Sequence, residues 1–436
     1  METMYLKGLS LKIVAVIVVI LIIAGIGIWW YLSQQPAKPK EVVVYSQWGG
    51  VEGENFAAAL KVFEEKTGIK VRIVQQSDIR TAIQTELAAG APQFDVAIVP
   101  WPAFVRELGR DGKLMDLTPI YDELDLKNKV INPDSYSEVV KADGKYYAVP
   151  IKAWAKPGIW FNVHVFQDLG ISVPSSGIMT SDEFLQVCGQ IKNAGIQPLA
   201  AGGQDKWPLT DFTEAVILRI GGPDLQYKLM HHQISWTDPQ VKEVFATIAD
   251  LIKKGYFGST PTAEPWAEQI GRLANGEVAM YFMGNWLNLM MQDQYDKQPG
   301  TDYDLMLFPK IKDGVSIAIV AGGDWAIAPA NAPHPDTAKE LLKWLAGPEY
   351  QEEMVKRKGY LAVHKDVPKS AYDPVDAKIV DWLNKYTVVP DLDDNFDYSE
   401  FQLTFWNALF ELWSNPDNYE QILENLESEA QSLWGS

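Results

Sequence analysis

The sequence predicts an α/β protein whose folded body follows one N-terminal transmembrane helix. Segments typical of strands and helices alternate from residue 41 onward. The 436-residue chain has 47% hydrophobic and 22% charged residues, which is the composition of a globular protein. An uncharged apolar run precedes the alternating pattern. A chain of this length exceeds one ordinary core and suits two or three domains.

The apolar run occupies residues 13–32 and reads IVAVIVVILIIAGIGIWWYL. As a helix it would span roughly 30 Å, the thickness of one bilayer core. Lys7 and Lys12 precede it, so residues 1–12 are expected in the cytoplasm. Residues 33–40 form a polar, proline-containing linker. We expect the run to be a single-pass anchor in the cell membrane or an export signal, with the body outside the cytoplasm.

The body opens with a β-α-β-α-β pattern. EVVVYS predicts a strand, and ENFAAALKVFEEKTG predicts a helix that ends at Gly68. IKVRIV, IRTAIQTELAAG and FDVAIVP predict a strand, a helix and a third strand. This alternation indicates a doubly wound parallel sheet, in which ligands bind beyond the carboxyl ends of strands. Trp48 and Trp101 follow two such ends, so both are candidates for ligand contact, with simple packing as the alternative.

A second α/β region follows residue 151. GIWFN and QPLAAG predict strands, whereas SDEFLQVCGQIK, TDFTEAVILRIGG and DPQVKEVFATIADLIKKGYF predict helices. The stretch VAMYFMGNWLNLM predicts a buried strand, a turn and a helix. Gly284 permits the turn and Asn285 is a good N-cap. Trp286 would then lie at a helix start beyond a strand end, which is a ligand-facing position.

Charge and motifs exclude several function classes. Residues 1–40 carry a net charge of +3 and the rest of the chain −22, which argues against nucleic-acid binding. Cys188 is the single cysteine, so an internal disulfide and a Cys-x-x-Cys metal site are impossible; we expect a buried thiol. The catalytic motifs G-x-S-x-G and H-E-x-x-H, a P-loop and a dinucleotide fingerprint are absent. We expect no enzyme activity, no metal and no cofactor.

Eight segments between Glu41 and Trp434 resemble, in this order, the extracellular solute-binding proteins of carbohydrate ABC transporters, the group that includes maltose-binding protein. They are FEEKTGIKV, FDVAIV, GKLMDLTPI, DGKYYAVPIKAWAKPGIWFN, GEVAMYFMGNW, AGGDWAIAP, AKELLKWLAGPEYQ and GYLAV. The resemblance implies a periplasmic-binding-protein-like fold of two α/β lobes joined by a hinge. Lobe 1 would comprise residues 41–150 and 321–387, and lobe 2 residues 151–320 and 388–436.

The resemblance also implies aromatic rings that stack on a sugar in the cleft between the lobes. A pyranose has apolar C–H faces, which a ring covers, and a rim of hydroxyls, which polar groups bind. The aromatic candidates are Trp286, Trp154, Trp325, Trp101, Trp207, Trp406 and Trp48. The polar and close-approach candidates are Gln47, Asp78, Asp205, Gly323, Asp324 and Asn285.

The function that this resemblance implies is an extracytoplasmic carbohydrate receptor. It would close around its sugar at the hinge and deliver it to the permease subunits of an ABC importer. A binding protein for a polyamine, peptide or anion is the alternative, because an acidic, tryptophan-rich body suits a cationic ligand. A glycosidase is the weaker alternative, since abundant carboxylates alone do not identify a catalytic pair.

Overall fold

The computed structural model describes residues 41–358 and 360–435, which lie in one compact unit. The expected cytoplasmic segment 1–12, the anchor 13–32 and the linker 33–40 lie outside the described residues. Within the described ranges, we find no helix with the length and apolar character needed to cross a membrane.

The strands and helices follow the predicted alternation. The strands are β1 Glu41–Ser46, β2 Lys70–Gln75, β3 Val96–Val99, β4 Lys141–Ala142, β5 Lys145–Tyr146, β6 Val149–Lys156, β7 Gly158–Asn162, β8 Gln197–Ala200, β9 Val278–Phe282, β10 Tyr303–Leu307, β11 Ala318–Ile327 and β12 Thr387–Val389. The α-helices are α1 Gly50–Thr67, α2 Ile79–Ala89, α3 Pro102–Arg110, α4 Thr118–Glu123, α5 Leu126–Lys129, α6 Pro133–Tyr136, α7 Val163–Asp168, α8 Ser181–Asn193, α9 Trp207–Ile220, α10 Gly222–Met230, α11 Pro239–Lys253, α12 Trp266–Ala274, α13 Trp286–Asp293, α14 Pro335–Ala346, α15 Pro348–Val355, α16 Pro374–Lys385, α17 Phe401–Ser414 and α18 Tyr419–Trp434. Short 3₁₀ helices cover Glu138–Val140, Lys369–Ala371, Asp393–Asn395 and Pro416–Asn418.

The first sheet contains the predicted parallel unit. Strand β1 pairs in parallel with β2 and with β3, which confirms the β-α-β-α-β prediction. The sheet is nevertheless mixed, because β11 joins it antiparallel to β3 and to β6 and parallel to β12. Sequence alternation alone does not predict such antiparallel additions, since β11 arrives from a distant part of the chain.

The second sheet has the strand order β10-β7-β9-β8, with β8 and β9 parallel and the other pairs antiparallel. The Phe212 ring of helix α9 contacts Phe282 of β9 edge to face, and every residue from Pro208 to Ile220 is buried. Cys188 is buried as predicted, and burial raises the pKa of its thiol. The lobe bounds 41–150 with 321–387, and 151–320 with 388–436, stay a prediction.

Gly158 and Gly189 form a matched pair that tests the packing of the second sheet. A Cβ atom at Gly158 would lie 1.9 Å from the carbonyl oxygen of Met306 and 2.7 Å from Leu307 Cα, whereas a Cβ at Gly189 in α8 would meet nothing within 4 Å. We expect Gly158→Ala to lower the free energy of unfolding by ~2 kcal/mol or more, because backbone atoms yield poorly. Gly189→Ala should leave it unchanged or raise it by up to ~1 kcal/mol. Urea titration of both variants checks this; equal midpoints would contradict it.

Candidate functional site

The described part of the chain contains a cavity of about 530 Å³. A cavity of this size suits a ligand larger than a single small ion. Seven tryptophans contribute to its lining: Trp48, Trp101, Trp154, Trp207, Trp266, Trp286 and Trp406. Six carboxylates and four cationic side chains share the lining: Glu52, Asp211, Asp324, Asp391, Asp393 and Asp394, with Lys152, Lys156, Arg357 and Lys358.

Strand β6 supplies the floor of the cavity. Side chains alternate across a strand, so Lys152, Trp154 and Lys156 share one face, and all three line the cavity. Strand β11 runs alongside, and its Asp324 pairs with Lys152 while Gly322 pairs with Trp154. A Cβ at Gly322 would lie 2.3 Å from the Trp154 ring, so only glycine leaves room for that indole.

The aromatic side of the cavity is a continuous series of indole rings. Trp154 and Trp286 meet edge to face with centroids 6.0 Å apart. Trp207 then contacts Trp286 at 5.7 Å and Trp266 at 5.3 Å, again in edge-to-face geometry. Such contacts fix ring orientation and add stability beyond area burial. Trp286, Trp207 and Trp266 are only half-buried, so the series presents exposed indole surface to the cavity.

Trp286 reaches the cavity through the predicted strand–turn–helix. Helix α13 begins at Trp286, just after β9 and the turn at Gly284. A Cβ at Gly284 would lie 2.1 Å from the Trp286 ring, so the glycine serves ring packing. Asn285 does not cap the helix with its side chain as expected. Its Oδ1 accepts a hydrogen bond from the Ala155 backbone N–H at 3.0 Å, which ties the turn to β6.

One end of the cavity is organised around Lys152. This buried ammonium contacts Glu52 and lies 3.5 Å from Asp324, its cross-strand partner. It also lies over the rings of Trp48 and Tyr360, 5.0 and 5.4 Å from their centroids. Burial raises the pKa of Asp324 to about 6, a rise that Lys152 only partly offsets. The pair therefore places a fixed positive charge and titratable oxygens beside aromatic surface.

The other end is organised around Lys156. Its ammonium contacts Asp211 at 2.5 Å and Asp391, and lies 3.5 Å from Glu214. It also lies 4.8 Å from the Trp154 ring centroid. All four charged groups are buried, and burial raises the pKa of Asp211 to about 7 and that of Glu214 well above its usual range.

Two further carboxylates extend this end of the cavity. Asp393 accepts hydrogen bonds from Trp406 Nε1 at 2.6 Å and from Gln402 Nε2 at 3.0 Å. Asp394 accepts one from Gln402 Nε2 at 2.7 Å. Burial and the neighbouring Asp391 raise the pKa of Asp393 to about 7 and that of Asp394 well above its usual range. Negative charge therefore exceeds positive charge here when the carboxyls ionise.

Carboxylate oxygens from Asp211, Glu214 and Asp391 lie within 4.8 Å of one another, as do those from Asp391, Asp393 and Asp394. Such spacing suits a cation. In the first group the ammonium of Lys156 already contacts all three carboxylates.

Eight of the predicted site residues line the cavity. They are Trp286, Trp154, Trp101, Trp207, Trp406, Trp48, Gln47 and Asp324. Their contact with a ligand stays a prediction.

Trp325, Asp78, Asp205, Gly323 and Asn285 are predicted site residues that do not line the cavity. Trp325 follows Asp324 and so points to the opposite face of β11, where its Nε1 donates to the Tyr136 carbonyl at 2.7 Å. Asp78 caps α2 through the Thr81 N–H, and Asp205 accepts from the Trp266 N–H. A Cβ at Gly323 would lie 2.4 Å from the Lys152 carbonyl, so the residue serves strand packing.

Several residues that line the cavity were not predicted from the sequence. Lys152 and Lys156 had a usable signal, because they share the strand face of Trp154 in VPIKAWAK. Asp211 and Asp391 gave none, since their partner Lys156 is 55 and 235 residues distant along the chain.

The raised carboxyl pKa values predict an unusual pH dependence of stability. Asp211 titrates near 3.9 when unfolded and at about 7 when folded, so between these values only the folded state keeps the proton. Stability should therefore fall as pH rises from 5 to 7. In Asp211→Asn this fall should shrink, by up to ~1.4 kcal/mol per pH unit. Urea unfolding at both pH values measures it, with the exposed Asp134→Asn as control. Equal pH slopes in Asp211→Asn and the natural chain would contradict the expectation.

Comparison with known proteins places this geometry in context. The sequence profile described as "Bacterial extracellular solute-binding protein" matches residues 49–352. An uncharacterized ABC transporter extracellular-binding protein from Pyrococcus horikoshii is 32% identical over 403 residues, which cover 89% of each chain.

Two solved structures have the same fold. A bacterial solute receptor with a stated preference for β-D-galactopyranose superposes with a TM-score of 0.80 at 20% identity, covering 90% of this chain and 99% of the other. A chitin oligosaccharide binding protein also gives 0.80, at 22% identity, covering 92% and 100%. The two sheets of the described body thus form the two-lobed α/β fold of these receptors. The expected α/β fold class is confirmed, whereas the expected transmembrane helix lies outside the described residues. This chain belongs to the bacterial extracellular solute-binding proteins, which are transport receptors and not enzymes.

Proposed function

We propose that the protein is an extracytoplasmic receptor that binds a carbohydrate and delivers it to an ABC importer. The observation that carries the proposal is the indole series Trp154–Trp286–Trp207–Trp266 beside lysine-held carboxylates in one cavity. Rings cover the apolar faces of a pyranose, and charged groups bind its hydroxyls strongly. The combination matches both surfaces of a sugar.

The names of similar proteins support the sugar class. The two solved structures are of a receptor with a preference for galactopyranose and of a chitin oligosaccharide binding protein. The Pyrococcus relative is named as part of an ABC transporter, which supports permease subunits as the partner. Identities of 20% and 22% show a shared fold and not a shared sugar, so we propose a ligand class.

Hinge closure is the proposed mechanism. The cavity is lined from both proposed lobes, by Trp48 and Trp101 of lobe 1 and by Trp207 and Trp286 of lobe 2. A ligand between them would contact both and so favour the closed state. The closed form would then dock on the permease.

A panel of ligands tests the proposed function directly. Thermal unfolding of the full chain would be followed with mono- and oligosaccharides, polyamines, peptides and simple anions. A ligand at 100 times its Kd adds ~2.7 kcal/mol, which is a visible shift. We expect a shift with one sugar class. A shift only with polyamines, peptides or anions would overturn the carbohydrate class.

Trp286→Ala should weaken binding of the sugar found in that panel at least tenfold, or ~1.4 kcal/mol, because it removes exposed stacking surface. Its thermal midpoint without ligand should fall, because the ring contacts Trp154 and Trp207, so circular dichroism must show that the variant is folded. Isothermal titration measures the affinity. Trp434→Ala is the matched control, because Trp434 is also half-buried but does not line the cavity. Unchanged affinity in Trp286→Ala would remove this ring from the site.

We also propose that residues 13–32 are a transmembrane anchor. The support is the uncharged apolar run with Lys7 and Lys12 before it. The full chain should stay with membranes after alkaline carbonate washing. In the double variant Ile20→Arg and Ile22→Arg, each arginine raises the free energy of membrane insertion by ~2.5–3.5 kcal/mol at the bilayer centre. The double variant should therefore be released from membranes by the wash. Release of the unsubstituted chain would indicate that the run is no anchor.

A further inference from the structure

The end of the cavity around Lys156 holds five carboxyl groups and one ammonium, so negative charge exceeds positive charge there once more than one carboxyl is ionised. Carboxyl groups from two parts of the chain meet there: Asp211 and Glu214 from α9, and three from the segment 391–394. Lys156 contacts Asp211 and Asp391 and lies 3.5 Å from Glu214. A ligand that brings a second positive charge would balance the excess.

A second observation concerns the buried side chain of Asp211. Asp211 is 1% exposed, and its Oδ1 accepts from Lys156. Its Oδ2 is buried without a hydrogen-bond partner among the described residues, although Asp211 lines the cavity. When Asp211 is ionised, a buried oxygen without a donor costs free energy, so a donor from the ligand would be bound favourably.

The aromatic surroundings also favour a cation. Lys156 lies 4.8 Å from the Trp154 centroid and Lys152 lies 5.0 Å from that of Trp48. Both contacts place an ammonium beside an indole ring and carboxylates in this cavity, an arrangement that attracts a cation. Half-buried rings such as Trp406, which donates to Asp393, offer the same surface to a ligand ammonium.

From these observations we infer that the cavity selects a sugar with a free amino group, whose ammonium binds beside Lys156 and contacts Asp211 and the carboxylates of residues 391–394. The inference deepens the proposed function and rests on it. The sugar ring would lie on the indole series, and the amino group would point to the Lys156 end. The opposite end at Lys152, four residues along β6 and so roughly 13 Å distant, would bind hydroxyls.

The test compares three β-1,4-linked disaccharides that differ only at carbon 2. Cellobiose carries a hydroxyl there, the diglucosamine an ammonium, and di-N-acetylchitobiose a neutral amide. Isothermal titration of the full chain should give the diglucosamine at least tenfold tighter binding than the other two.

Two variants locate the ammonium. Asp211→Asn keeps the side-chain shape and removes the charge, so the preference for diglucosamine over cellobiose should fall at least threefold. Asp324→Asn removes a carboxylate at the Lys152 end and should leave that preference unchanged, whatever it does to overall affinity. Circular dichroism confirms that each variant is folded.

Other outcomes overturn the inference in distinguishable ways. If cellobiose or di-N-acetylchitobiose binds as tightly as the diglucosamine or more tightly, the amino-sugar inference is wrong and the sugar-receptor proposal stands. The same conclusion follows if none of the three binds but a neutral sugar of another linkage does. If calcium chloride alone raises the thermal midpoint and Asp211→Asn abolishes that shift, the acidic cluster binds a metal ion and the amino-sugar inference is wrong. Binding of putrescine but of no sugar overturns both the inference and the proposed function.

Discussion

The pairing of β6 with β11 is the constraint on which the cavity depends. Because side chains alternate along β6, the pairing sends Lys152, Trp154 and Lys156 into the cavity together. The partner strand contributes Asp324 to the same face and omits a side chain at Gly322, where the Trp154 ring lies. Charge, aromatic surface and space therefore come from one ladder of backbone hydrogen bonds.

From that strand the site extends by contacts between distant segments. Lys156 joins β6 to α9 and to residue 391, and Asn285 joins the start of α13 to Ala155. A buried ammonium surrounded by carboxylates gives no certain gain in stability, because desolvation offsets much of the attraction. Its consequence here is positional, since it holds charged groups at a cavity wall where carboxyl pKa values rise toward neutrality.

Sequence reasoning succeeds where local chemistry decides the structure. The β-α-β-α-β unit, the helix end at Gly68 and the helix start at Trp286 follow from propensity, glycine conformation and apolar spacing, and the structure agrees. Sequence reasoning falls short where it must decide which of two adjacent strand residues faces the cavity. Asp324 and Trp325 are adjacent on β11, so only one can line the cavity, and the tryptophan enters the core. The acidic cluster could not be predicted from the sequence, because its members come from α9 and from residues 391–394 and meet only in the folded chain.

The most direct test of the account is a crystal structure of the protein with the sugar that stabilises it most. The account predicts a pyranose face lying against Trp286, with hydroxyl or amino groups bound by the carboxylates around Lys152 and Lys156. A sugar bound outside this cavity, or one in it that leaves the indole series uncovered, would contradict the account.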